Sequence, residues 1–236
     1  MLDVDLHTHT FFSACGIHTH MEILTRAKAL GMTAVAITDH GSELSPRVSS
    51  PFFDRLNAPL DGIRLLKGIE CNLVDGDGRI DLPMNRLAYL DIVLLGIHPN
   101  TPTGLGKSAY TRMMIHAIDH NPAVDILTHL NDVSYPVDFR EVIGAASARG
   151  VAIELNNSKT LLKRSPGELT GELVNTAKEI GAQMVVTSDM HALEELGDDT
   201  AVTPFLKDAQ FPEDRLISLS AQTAFSFIDK RRRNKK

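Results

Sequence analysis

Apolar residues gather in seven short runs: LDVDL (2–6), TAVAIT (33–38), IRLLKGI (63–69), LDIVLLGI (90–97), AVDILT (123–128), VAIEL (151–155) and AQMVVTS (182–188). Each has the length of a strand and is rich in Val, Ile and Leu, the composition of parallel strands covered on both faces. Segments of helical period or composition lie between them at 20–30, 107–120, 138–149 and 168–180. Gly31, Gly150 and Gly181 follow three of these, where a left-handed residue closes a helix. Strand, helix, glycine, strand, repeated, predicts one α/β domain over residues 1–229 with a parallel sheet, open or closed. Residues 41–62, with Ser45–Pro46 and Ser50–Pro51, interrupt the alternation and read as a long loop or lid beside a strand end.

Metal-ligand residue types fall where those runs end. His7 and His9 follow the first run and His40 the second; Glu70 and His98 end the third and fourth, His129 ends the fifth, and Asp189 and His191 follow the seventh. The carboxyl ends of parallel strands open on one face, so this placement predicts a single cluster there. One histidine at a strand end is commonly a hydrogen-bonded structural residue. Six of seven runs ending in a potential ligand call for a shared cause, and a metal site supplies it. Imidazole with carboxylate selects zinc, manganese or iron over magnesium or calcium.

Composition and charge narrow the rest. The 236 residues carry no Trp, two Cys and ten His, so a disulfide scaffold is excluded and histidine is the residue in surplus. Residues 230–236 (KRRRNKK) hold six of the 24 basic residues, which leaves 18 against 30 acids, a balance of −12, for residues 1–229. That acidic body, with 5% aromatics, argues against nucleic acid as a partner, and the tail is expected to be solvated and frayed. No apolar run is long enough to span a bilayer and charge appears within the first residues, so the expected address is cytoplasmic. A homo-oligomer is left open. His116 and His120, spaced i,i+4 on a helix, read as surface residues, and Cys71 as a small buried hydrophobe. His18 lies close enough to the first strand end to touch metal or substrate, whereas His20 opens a helix.

The segments DLHTHT (5–10), AITDHG (36–41), GIECN (68–72), GIH (96–98), THLND (128–132), VAIELNNS (151–158) and TSDMH (187–191) together resemble the polymerase and histidinol phosphatase (PHP) superfamily, and within it the stand-alone trinuclear-zinc phosphatases of the YcdX-like group. The resemblance implies a distorted seven-stranded (β/α)7 TIM-like barrel, three divalent ions and phosphoester hydrolysis. It implies that His7, His9, Glu70 and Asp189 hold one ion, that Glu70 bridges to a second held by His98 and His129, and that His40 and His191 hold a third with a residue of the first loop. Histidine is usual at that last position and Cys15 stands there, so Cys15 completes the site as a thiolate, His18 replaces it, or the site is lost.

Clustered divalent ions make a bridging hydroxide available for attack on phosphorus, with Glu70, Asp189 and His191 as the catalytic residues. Arg164 is the first candidate for binding substrate phosphate, followed by Lys107 and Lys159. Asp39, Asn156 and Asn157 are candidates for orienting ligands. The expected activity is hydrolysis of a small phosphomonoester; the alternative is a phosphodiesterase or 3′-exonuclease, which calls for a basic, extended groove.

Overall fold

The computed structural model describes residues 1–57 and 59–235. Seven strands, β1 (Val4–Asp5), β2 (Ala34–Ile37), β3 (Arg64–Asn72), β4 (Ile92–Gly96), β5 (Ile126–Leu127), β6 (Ala152–Asn156) and β7 (Met184–Thr187), pair in sequence order, every neighbour parallel. A parallel bridge between Thr8 and Met190 brings the last strand back towards the first, so the sheet curls into a nearly closed barrel. Helices α1 (His20–Ala29), α2 (Ser50–Arg55), α3 (Met84–Leu87), α4 (Lys107–His120), α5 (Phe139–Ala148), α6 (Asn157–Leu161), α7 (Gly167–Ile180), α8 (Thr203–Asp208) and α9 (Ala221–Asn234) fill the connections and the carboxyl terminus. The 41–62 segment is therefore not all loop, since α2 lies within it.

Local chemistry sets several of the boundaries. Thr19 and Glu22 cap α1 reciprocally, and Asp138 accepts the Glu141 amide at the start of α5. Gly181, at φ 83°, closes α7 in the left-handed region that costs glycine little.

Alternation along the strands separates two cores. Ala34, Ala36, Leu66, Ile92, Leu94, Ile126, Ala152 and Val185 fill the barrel interior. Their neighbours Val93, Leu95, Leu127, Ile153 and Val186 face outward into the layer formed with α4, α5 and α7. Ala224, Phe227 and Ile228 of α9 close the amino end of the interior.

The carboxyl-terminal residues differ from the frayed tail expected for 230–236: Lys230 to Asn234 continue α9. Arg231 is buried, with Nε 2.9 Å from Asp125 Oδ1 and Nη2 donating to the carbonyls of Val124 and Pro122. Lys235 is also buried, with Nζ on the other oxygen of Asp125. A basic run reads as solvated in sequence because the buried carboxylate that receives it lies more than 100 residues away.

Candidate metal centre

The inward face of each strand extends past its end to form the floor of a site. Leu66, Gly68 and Glu70 share one face of β3, and Gly68 leaves room where a Cβ would stand 2.6 Å from Ile92 Cγ2. His40, His98 and Asp189 continue the inward alternation of β2, β4 and β7 in the same way. Gly96 makes the space for two imidazoles, since a Cβ there would meet His98 Cε1 at 2.6 Å and His129 Cε1 at 2.9 Å.

His7, His9 and His129 arrive by another route. β1 ends at Asp5, so His7 and His9 lie beyond regular strand, and His129 has φ 33°. Asp189 is likewise left-handed, at φ 53°. Non-glycine residues in that region cost about 1–3 kcal/mol and persist only where their surroundings hold them. Here hydrogen bonds do so: Glu154 Oε2 accepts the His129 amide at 2.8 Å, and Asp189 accepts from Asn156 through its side chain and from His191 Nδ1 through its carbonyl. The loop that carries His9 is held separately: Asp39 accepts from Thr10 and Ser13, and Ser13 Oγ in turn accepts the His40 amide at 3.0 Å and lies 3.2 Å from His9 Nδ1.

Glu70 is the centre of the cluster and its two oxygens serve different sides. Oε2 lies 3.3 Å from His7 Nε2, 3.6 Å from His9 Nε2 and 3.0 Å from His40 Nδ1. Oε1 lies 3.2 Å from His98 Nε2 and 3.0 Å from His129 Nε2. Asp189 Oδ1 completes the first side, 3.1 Å from His9 Nε2 and 3.3 Å from His7 Nε2. Three sets have donor atoms close enough to share an ion: His7, His9 and Asp189; His40, Glu70 and His98; and Cys15 with His9, His40 and His191.

The electrostatics follow from burial and crowding. Burial opposes ionisation of Glu70, yet His98, His7 and His40 hold its carboxyl well below the usual range. Burial likewise opposes the Asp189 carboxylate, which Lys159 and His7 bring well below its ordinary value. His98 is pushed down to about 4 by burial, so it stands neutral, as a ligand must. For Cys15, burial raises the thiol, but His191 and His40 outweigh it and lower the pKa to about 6.

One observation tests whether the residues fit a metal. Among the described residues, His40 Nδ1 and both ring nitrogens of His98 are buried without a hydrogen-bond partner. Two of these atoms sit 3.0 and 3.2 Å from Glu70 oxygens without forming hydrogen bonds. Orphaned imidazole nitrogens aimed at carboxylate oxygens form a donor set for a divalent cation; the residues fit.

The substrate-binding candidates separate. Lys159, at the start of α6 and only 13% exposed, reaches Asp189 Oδ2 at 3.2 Å; burial opposes its charge, but Asp189 and Glu70 raise its pKa above the usual lysine value. Arg164 pairs with Asp132 at 2.7 Å and is 42% exposed. Lys107, 55% exposed, pairs with Asp138 at the head of α5 and is not brought to the cluster. His18 is not brought into any of the three sets either; its carbonyl accepts the Phe11 amide. Asn156 donates to both Glu154 and Asp189, whereas Asn157 turns away to Asp198. His116 and His120 bond to backbone carbonyls on the outside, and Cys71 is buried in the outer core.

Glu154 is the residue that sequence reasoning passed over. It is fully buried in β6, with Oε1 2.5 Å from His7 Nδ1 and accepting from Thr187, while Oε2 accepts the His129 amide at 2.8 Å. The signal was present as the single acid in VAIEL, two residues on from inward Ala152. A carboxylate on the far nitrogen of a ligating histidine fixes its tautomer and orientation.

Fold and cluster together define the class: a TIM-like α/β barrel with a metal-binding site at the carboxyl ends of its strands. The PHP domain profile matches residues 5–158, and the chain belongs to the PHP family. It is 34% identical over 232 residues to a probable phosphatase of Shewanella sediminis, covering 97% of this chain and 94% of that one. It is 33% identical over 234 residues to a probable phosphatase of Aeromonas salmonicida, covering 98% and 95%. Among solved structures, histidinol phosphate phosphatase of Lactococcus lactis, complexed with zinc, L-histidinol and phosphate, superposes with a TM-score of 0.65 at 17% identity, covering 89% of this chain and 94% of that one. A chain of archaeal ribonuclease P with mature tRNA has the same fold, with a TM-score of 0.57 at 16% identity, covering 96% and 90%.

Proposed function

We propose that this protein is a metal-dependent phosphatase that hydrolyses small phosphomonoesters, with three divalent ions, zinc first, at the carboxyl face of the barrel. The observation that carries the reading is the division of Glu70, whose two oxygens each face their own set of imidazoles. His7, His9, Glu70 and Asp189 would hold one ion, Glu70, His98 and His129 a second, and Cys15, His40 and His191 a third. Ions held there supply Lewis acidity to a phosphoryl oxygen and ionise water near neutral pH. Family membership and the relatives named as probable phosphatases support the same reaction class.

The chain's own groups do the remaining work. Lys159, largely withdrawn from water beside Asp189, offers a fixed positive charge to phosphate oxygens. Arg164 stands further out, where its guanidinium can exchange Asp132 for substrate. His191, whose Nδ1 is held by the Asp189 carbonyl at 2.8 Å, keeps its Nε2 for the third ion. Asp189, shared by His9 and Lys159, keeps these groups in register.

Hydrolysis of p-nitrophenyl phosphate beside bis-p-nitrophenyl phosphate, with zinc or manganese restored, tests the proposal. The monoester should be turned over preferentially. A faster diester would favour a phosphodiesterase, and no turnover of either would overturn the enzymatic reading.

A further inference from the structure

A second feature lies on the loops that follow β1 and β2 and is used by none of the groups above. Phe12 of the first loop and Phe52 of α2 meet edge to face, with ring centroids 4.9 Å apart. With Leu56 they wall a pocket of about 290 Å³ into which Arg47, Arg55 and His20 also project. Arg47 comes from the loop after His40 and Arg55 from the end of α2, so two separate elements bring guanidinium groups to one cavity. Neither arginine forms an ion pair among the described residues, although acids outnumber basic residues 30 to 24 in this chain.

The loops that leave β1 and β2 contribute both to the metal cluster, through His9 and His40, and to the pocket, through Phe12 and Arg47. Phe12 is followed directly by Ser13, whose hydroxyl accepts the His40 amide and lies 3.2 Å from His9 Nδ1. Arg47 lies seven residues beyond His40 in the chain. The loops that carry ligands to the cluster thus also build an apolar, cationic recess. Guanidinium binds carboxylate or phosphate through paired hydrogen bonds, and the aromatic walls suit an apolar body.

We propose that this pocket holds the organic part of the substrate, and that the substrate carries a second anionic group, bound by Arg47 and Arg55. The inference rests on the phosphatase reading for where the phosphoryl group sits, but not for the pocket's own preference.

Three esters provide the test: phenyl phosphate, 4-carboxyphenyl phosphate and 1,4-phenylene bisphosphate, assayed with the zinc-loaded protein. The second anion should raise kcat/KM about tenfold, and whichever of carboxylate or phosphate gains more identifies the natural group. In the Arg47→Ala, Arg55→Ala double variant the preference should fall to about one, and Arg47→Lys with Arg55→Lys should keep part of it. Calorimetric titration with the unreactive analogues phenylphosphonate and 4-carboxyphenylphosphonate should show the same ratio in Kd. Equal kcat/KM for the three esters, or a preference that survives the alanine variant, overturns the pocket assignment while leaving the phosphatase reading intact. Tighter binding of the carboxylated phosphonate without turnover of any ester supports the pocket and overturns the phosphatase reading.

Discussion

At the amino end of the barrel, one buried carboxylate, Asp125, meets two buried cations, Arg231 and Lys235, and the arginine's remaining donors find backbone carbonyls. At the carboxyl end, two carboxylates, Glu70 and Asp189, face six imidazoles, and three imidazole nitrogens within this group have no hydrogen-bond partner among the described residues. The same seven strands build both ends. At the first, the charged groups find their partners within the chain and the result is a plug. At the second, hydrogen-bonding capacity is left unfilled and two ligands sit in left-handed backbone, the condition of a site that a cation completes.

If that contrast is right, substitutions should act on different observables at the two ends. Glu70→Gln removes a charge that both sides of the cluster share, so kcat/KM on a phosphomonoester should fall by about 10⁴-fold, with metal content read by elemental analysis falling alongside. Asp125→Asn should do the reverse: it leaves two buried cations without a counter-charge, so urea unfolding should show a loss of about 3 kcal/mol while metal per folded protein stays at the native value. A drop in metal content in Asp125→Asn would show the ends to be coupled.

Glu154→Gln tests a smaller effect on the same axis. The isosteric amide can still fill the space beside His7 Nδ1 but removes the carboxylate, and zinc affinity, measured by chelator competition, should weaken about 10–100-fold. An unchanged affinity would reduce Glu154 to a packing role. Smallest is Cys15→Ser, at an exposed position, where stability should change by less than about 0.5 kcal/mol. The metal count should nevertheless drop from three towards two, and an unchanged count would remove Cys15 from the ligand set.

The arrangement of seven parallel strands was legible because apolar runs of strand length, separated by helices, leave few other ways to bury both faces of a sheet. His40, Glu70, His98 and Asp189 were legible for the same reason: each lies at or just past the end of a run, in step with the inward positions of its own strand. His7, His9 and His129 were found by residue type and position, but strand alternation does not account for how they reach the site. His7 and His9 lie past the short β1, and His129 turns in through a left-handed residue held by Glu154.

The pairing of Glu154 with His7, the burial of the basic carboxyl terminus and the ranking of Lys159 above Arg164 as the more enclosed cation were not legible in the chain. Each depends on a partner distant in sequence: His7 lies 147 residues from Glu154, and Asp125 lies 110 residues from Lys235. Periodicity and residue type report which face a side chain presents and what chemistry it carries, properties of the local backbone and the side chain itself. Whether a charge is solvated, paired or left waiting for an ion depends on which groups meet it after the barrel closes, and that meeting is made by long-range packing.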